Sequence, residues 1–183
     1  SSTLLTSSAA SDVYKRQKQE IGASELAFML RDSDSSSGIG TSVPTLDPER
    51  NIALYKALTN AMENRMIRSA HDCSDGGLSV SLAESCFGFS GGADIDVTEI
   101  LLEDDELDEW GALFGESLGR IIVSVSPECV MEFEKRMKGH AVYKLGKTTS
   151  GREVKISAHG KTVLKCDVDS LKAAWKGTLD RRA

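Results

Sequence analysis

Ser69-Ala70-His71-Asp72-Cys73-Ser74-Asp75-Gly76-Gly77-Leu78 puts a polar, glycine-bearing turn directly ahead of an apolar helical pattern. Met66 to Ala70 is β-prone and leads into the turn, while Leu78, Leu82 and Cys86 recur every four residues behind it, as on one face of a helix. The stretch therefore reads strand, loop, helix start. Ser74 or Asp75 stands where it can cap that helix, and Gly76 and Gly77 have no side chain to keep a ligand off the backbone. Such a turn, at the positive end of a helix, can hold an anion or a metal-bound phosphate.

Working outward, Asp47-Pro48-Glu49 opens a helix, with Asp at the cap and Pro at the first helical position. Ile52, Tyr55, Leu58 and Met62 form its apolar stripe, and it is expected to run to about Asn64. Downstream of the turn, Gly91-Gly92 leads into Ala93 to Val97, whose period-two alternation predicts a strand with Asp94 and Asp96 on one solvated face. The twelve-residue calcium-loop spacing is absent there. The acidic run Glu103 to Glu109 fits a solvated first helical turn.

A second polar constellation, Leu113-Phe114-Gly115-Glu116-Ser117-Leu118-Gly119-Arg120, runs into Ile121 to Val125, a buried strand. Pro127 starts a helix with Val130, Phe133 and Met137 on one face, and Gly139 ends it. Strands follow at Ala141 to Lys147, Glu153 to Ala158 and Thr162 to Asp167, with Ser150-Gly151 turning the first pair and His159-Gly160 the second, before a helix at Val168 to Trp175. This order predicts an α+β fold or a mixed α/β sandwich, helices packed on a mixed sheet.

At 183 residues with 40% apolar content, the chain can bury one real core. A formal charge of -6 without a long basic cluster argues against nucleic acid or an anionic membrane as partner. No apolar run approaches the roughly 20 residues that span a bilayer. Cys73, Cys86, Cys129 and Cys166 are widely spaced, which speaks against metal knuckles and a disulfide framework and for a reduced, cytoplasmic setting.

Residues 1 to 17 read differently from the rest. Ser1 to Ser11 are almost all Ser, Thr, Ala and Leu, and Asp12-Val13-Tyr14-Lys15-Arg16-Gln17 back-translates as GAT GTG TAT AAG AGA CAG. That resembles a transposase mosaic end from sequencing-library preparation, so residues 1–17 are expected to be non-native and disordered. Residues 18–48 form an entry segment and a Ser/Gly-rich loop, 49–179 the main domain and 180–183 a tail. No dinucleotide fingerprint or Walker loop is present, and a lone Asp-Gly-Gly turn is weakly specific.

Taken together, Gly22-Ala23-Ser24-Glu25, the Ser69 to Leu78 turn, Phe114-Gly115-Glu116-Ser117 with Gly119-Arg120, Leu145-Gly146-Lys147 and the closing Leu171 to Leu179 resemble the C-terminal domain of phosphoribosylformylglycinamidine synthases, in the aminoimidazole ribonucleotide synthetase superfamily. The resemblance covers about residues 20 to 179 and implies the fold of an aminoimidazole ribonucleotide synthetase C-terminal domain. It implies an ATP- and magnesium-dependent ligase that converts formylglycinamide ribonucleotide and glutamine-derived ammonia to the amidine. The amide oxygen is activated by phosphorylation and ammonia then displaces phosphate. Such enzymes are internally duplicated, and this chain looks like the second half's C-terminal domain.

The implied partners are the N-terminal domains of the same enzyme, a glutaminase subunit and a small-molecule nucleotide. The family's catalytic histidine and ATP-binding lysine lie outside this chain, so no residue here is assigned a catalytic role and isolated activity is not expected. By carry-over from the first half, Asp72 is a candidate magnesium ligand. Ser74, Asp75, Gly76, Gly77, Glu116 and Ser117 are candidate nucleotide or phosphate contacts. The residues also fit simpler roles: Asp72 and Asp75 as cap and turn former, His71 as a satisfied strand-end histidine, Glu116 with Arg120 as an ion pair at helical spacing. Cys73 beside a helix start could have a lowered pKa. A sister enzyme such as aminoimidazole ribonucleotide synthetase or selenophosphate synthetase, and a non-catalytic binding module, remain open alternatives.

Overall fold

A computed structural model describes residues 3–8, 20–30, 43–102, 105 and 107–180. In chain order the strands are β1 (Thr3–Ser8), β2 (Ile67–Asp72), β3 (Gly92–Asp96), β4 (Ile121–Val125), β5 (Ala141–Thr149), β6 (Glu153–Ala158) and β7 (Lys161–Asp167). The helices are α1 (Glu25–Leu30), α2 (Pro48–Glu63), α3 (Gly77–Phe87), α4 (Thr98–Leu101), α5 (Glu109–Phe114), α6 (Val130–Arg136) and α7 (Val168–Asp180). The described strands make one sheet in the order β2-β4-β1-β5-β3-β6-β7, antiparallel except where β3 runs parallel to β6. The fold is α+β with a mixed sheet, as the sequence predicts.

Alternation along β4 shows how the sheet divides the core. Ile122 faces a cluster built with Leu78 and Leu82 of α3, Leu113 of α5, Ile95, Leu145 and Ile156. Val123 and Val125 face the other way, against Leu54, Leu58 and Ala61 of α2 and Phe133 of α6. The sheet is therefore sandwiched, with α3 and α5 on one face and α2 and α6 on the other. α7 closes over α3, where Trp175 meets Phe87 at 5.7 Å between ring centroids and Lys172 Nζ donates to the Phe87 carbonyl at 2.9 Å.

Several local signals hold. Asp47 caps α2 by accepting from the Arg50 amide at 3.2 Å, and Pro48 opens it. Ser24 Oγ receives the Ala27 amide at 3.2 Å and starts α1. His159 and Gly160 both take positive φ, 49° and 74°, which is what a two-residue hairpin of β6 and β7 requires.

Three expectations are corrected. The buried face of α2 is Asn51, Leu54, Leu58 and Ala61, whereas Ile52, Tyr55 and Met62 are 52%, 46% and 43% exposed. The helix is rotated so that Leu54, Leu58 and Ala61 pack with Val123 and Val125 of β4 and Phe133 of α6, while Asn51 Oδ1 lies 2.6 Å from the point a Gly119 Cβ would occupy, just ahead of that strand. Ser150-Gly151 does not close a hairpin of adjacent strands, because β3 lies between β5 and β6 and pairs with both. Third, Thr3–Ser8 is not disordered. It is the strand between β4 and β5, two edges that do not pair with each other and whose backbone donors and acceptors this β-prone segment satisfies. The back-translated segment Asp12 to Gln17, the loop from Asp32 to Ser42 and most of the acidic run lie outside the described residues.

Candidate functional site

β2 delivers the polar turn to the end of the sheet. The Cys73 amide donates to the Arg120 carbonyl at 2.9 Å, extending the β2–β4 ladder by one rung, and the Gly77 amide then donates to the Ser74 carbonyl at 2.9 Å to close the turn. From inside α3, Ser81 Oγ bonds the carbonyls of Asp72 and Gly77, each at 2.9 Å. Strand, turn and helix are thus fastened at one point.

The helix cap differs from expectation. Neither Ser74 nor Asp75 caps α3; the N-cap is Gly76, at φ 77°, which has no side chain to cap with. Its amide instead donates at 2.9 Å to Glu116 Oε1, which also accepts the Glu25 amide at 3.0 Å. One carboxylate oxygen therefore bridges the start of α3 and the start of α1. It supplies the negative charge that a helix N-terminus favours.

Gly76 and Gly77 are approached by protein. A Cβ on Gly77 would lie 2.7 Å from the Gly115 carbonyl oxygen and 2.9 Å from that of Leu113, at φ 63°; one on Gly76 would lie 2.3 Å from Val80 Cγ2. Gly77 lets the start of α3 pack onto the end of α5. Arg120, buried to 3% exposure, holds the same junction from below, with Nη1 donating to the Gly115 carbonyl at 3.0 Å and Nη2 to that of Ala112 at 2.8 Å. The guanidinium satisfies carbonyls left over at the helix end, while burial lowers its pKa. Glu116 and Arg120 therefore serve backbone groups in different segments, and the stretch between them is not helical, so ion pairing at helical spacing does not arise.

Asp72 stands at the open side, its side chain 73% exposed. Ser74 Oγ donates to its Oδ2, and this bond, helped by a backbone N–H, holds the Asp72 carboxyl below the usual carboxylate range. An ionised, exposed carboxylate suits magnesium, which commonly takes one or two carboxylates and completes its shell with phosphate and water. Among the described residues no cluster of three or more His, Cys, Asp or Glu could cage a metal. Asp75 is exposed at the tip of the turn, and Ser117 Oγ is buried without a hydrogen-bond partner among the described residues.

His71 is satisfied structurally. Its Nδ1 lies 2.7 Å from the Asp72 carbonyl and its Nε2 lies 3.1 Å from Glu84 Oε2 on α3. Glu84 escaped the sequence reading, since nothing in its spacing marks it as a partner of a strand residue. Cys73 is also corrected: it is 5% exposed, and desolvation raises its thiol pKa instead of lowering it. Burial likewise pushes Cys86 up to about 11.

Away from the turn, a groove of about 520 Å³ crosses the sheet beside Asp94, Asp96, Lys144, Lys147 and Lys155. Its acids are engaged, Asp94 with Lys155 at 3.4 Å and Asp96 with the Thr98 amide at 2.8 Å. Among the described residues no helix is long and apolar enough to cross a membrane.

Comparison with known proteins places this geometry. Residues 17–159 match the family described as AIR synthase related protein, C-terminal domain. The chain is 38% identical over 139 residues to phosphoribosylformylglycinamidine synthase subunit PurL of Carboxydothermus hydrogenoformans, covering 75% of this chain and 18% of that protein. It is 41% identical over 124 residues to the same subunit of Lactobacillus helveticus, covering 68% of this chain and 15% of that one. The chain thus spans less than a fifth of the length of either relative. In fold it is similar to Thermotoga maritima PurL complexed with FGAR, at a TM-score of 0.73 and 18% identity over 93% of this chain and 27% of that one. The ATP complex of that protein gives a TM-score of 0.69 at 16% identity over 93% and 25%. With the family model covering residues 17–159, and so both the turn and the loop that carries Glu116, the chain belongs to the AIR synthase related protein C-terminal domain family.

Proposed function

We propose that this chain is the C-terminal portion of the ATP-dependent ligase that converts formylglycinamide ribonucleotide, ATP and glutamine-derived ammonia to formylglycinamidine ribonucleotide. The observation that carries the reading is the 38% identity over 139 residues with a PurL subunit. Fold likeness alone, at 18% identity, would leave the chemistry open. Because the chain spans 18% of that relative, activity belongs to the joined polypeptide, in which the N-terminal domains and a glutaminase subunit are the partners and the cytoplasm is the compartment.

Within that enzyme the turn forms one wall of a composite nucleotide site. Asp72 is the residue that would meet magnesium, since its carboxyl is ionised by the Ser74 bond and faces outward. Magnesium with ATP would supply charge neutralisation for phosphoryl transfer to the amide oxygen. Ser74 and Asp75 stand in the turn just ahead of α3, and Ser117 follows Glu116, whose carboxylate bonds the Gly76 amide. Recovering the gene upstream of residue 18 tests the proposal. A duplicated synthetase array followed in frame by this domain is expected; a single upstream half would overturn the assignment to the second half, and an unrelated upstream domain would overturn the whole reading.

A further inference from the structure

Leu145-Gly146-Lys147 folds as a β-bulge within β5. Against β1, Lys144 pairs with Leu5 and Gly146 with Leu4, so Leu145 is the extra residue. Gly146 is what permits it: its φ is 156°, and a Cβ there would lie 2.1 Å from the Asp94 carbonyl oxygen. On a regular strand, residues three apart face opposite sides of the sheet. The bulge instead returns Lys147 to the side of Lys144. Through β1, Lys144 aligns with Val123 and Lys147 with Val125, and both valines face α2 and α6.

Helices do not cover that side where the lysines stand. The cluster under α2 and α6 takes Val142 from β5 and, among the described residues, nothing from β3, β6 or β7. The open part of the sheet carries the groove of about 520 Å³, walled by Lys144, Lys147, Lys155, Asp94, Ser157 and, just past β4, Pro127. Lys147, Asp94 and Lys155 stand side by side in register across β5, β3 and β6. Asp94 is taken by Lys155 at 3.4 Å, and Asp96 accepts the Thr98 amide at 2.8 Å. Lys144 and Lys147, both exposed, form no hydrogen bond or ion pair among the described residues. We propose that this groove binds a small molecule carrying two adjacent phosphate groups, with the Lys144 and Lys147 ammonium groups as its paired contacts and the Ser157 hydroxyl as a third donor. Its volume is that of a small-molecule site, and lysine binds phosphate as a point charge. A diphosphate answers both ammonium groups at once, where a single phosphate answers one. Every wall of the groove belongs to this chain, so binding does not wait on another domain.

The test titrates the full 183-residue chain with inorganic pyrophosphate and, separately, inorganic phosphate at constant ionic strength, following backbone amides by NMR. Pyrophosphate is expected to shift the amides of Lys144, Gly146 and Lys147 and to saturate at roughly millimolar concentration. Phosphate is expected to bind several-fold more weakly. Lys144→Gln and Lys147→Gln should each weaken pyrophosphate binding about three- to tenfold. Lys147→Arg keeps the charge, and Lys56→Gln removes one from the exposed side of α2; both should stay within about twofold of wild type. All four side chains are replaced at exposed positions, so the remaining amides report an unchanged fold. Absence of saturation below about 20 mM pyrophosphate overturns the site. An equal loss in Lys56→Gln and Lys147→Gln overturns it too, since binding then follows net charge and not the groove. Phosphate binding as tightly as pyrophosphate overturns the joint action of the two lysines.

Discussion

Asp72 and Ser74 show how much chemistry a two-residue offset sets. The Ser74 hydroxyl stabilises the charged carboxylate, so the Asp72 carboxyl is held below the usual carboxylate range in the folded chain. Ser74→Ala is expected to let that pKa rise toward the ordinary value in a carboxyl-carbon NMR titration. Because the folded value is depressed, the contribution of this group to stability is present above about pH 4 and is lost as pH falls through the folded pKa. The thiols run the opposite way. Cys86, pushed up to about 11, contributes stability that is complete below pH 9 and fades as pH rises toward 11. Iodoacetamide at neutral pH should therefore modify Cys129 and Cys166, which are partly exposed, well before Cys73 and Cys86; early labelling of Cys73 would contradict its burial. Gly77→Ala should cost about 1–3 kcal/mol in urea unfolding from its positive φ alone, and more from contact with the Gly115 and Leu113 carbonyls.

At the scale of elements, α2 separates pattern from packing. Leu54 is 0% exposed and Ile52 is 52% exposed, though the apolar pattern made Ile52 part of the core stripe. Leu54→Ala is expected to lose about 2–5 kcal/mol and Ile52→Ala to stay within about 0.5 kcal/mol. Equal losses would restore the stripe read from sequence. Elsewhere the periodic signals were strong enough to place elements: β4 and β6 fall on the expected residues, and α2 begins at its Asp-Pro signal. What sequence could not carry was pairing. No local pattern tells that β3, with 44 residues between it and β5, slides between two strands joined by Ser150-Gly151. The candidate site was legible to the same degree. Its residues do gather, because Gly76 and Glu116 meet at 2.9 Å, but the bond runs between them, a contact 40 residues long that spacing does not encode.

For the whole molecule, the sandwich brings the turn, the Glu116 loop and the start of α1 to one corner, with Arg120 buried beneath them. Under the proposed function that corner would be one wall of a composite site, and this chain spans 18% and 15% of the two relatives. The central strand β1 has a comparable dependence on context. Both its edges are paired, with β4 and with β5, so Leu5→Pro should remove a ladder bond and lower stability far more than a proline on an edge strand would. The account as a whole is tested most directly by joining this domain to its upstream polypeptide and measuring ADP release with formylglycinamide ribonucleotide, ammonia, ATP and magnesium. ADP formation that requires formylglycinamide ribonucleotide, and that falls when Asp72→Asn is introduced, is the expected result. A joined enzyme that releases ADP at the same rate without that substrate would contradict the assignment.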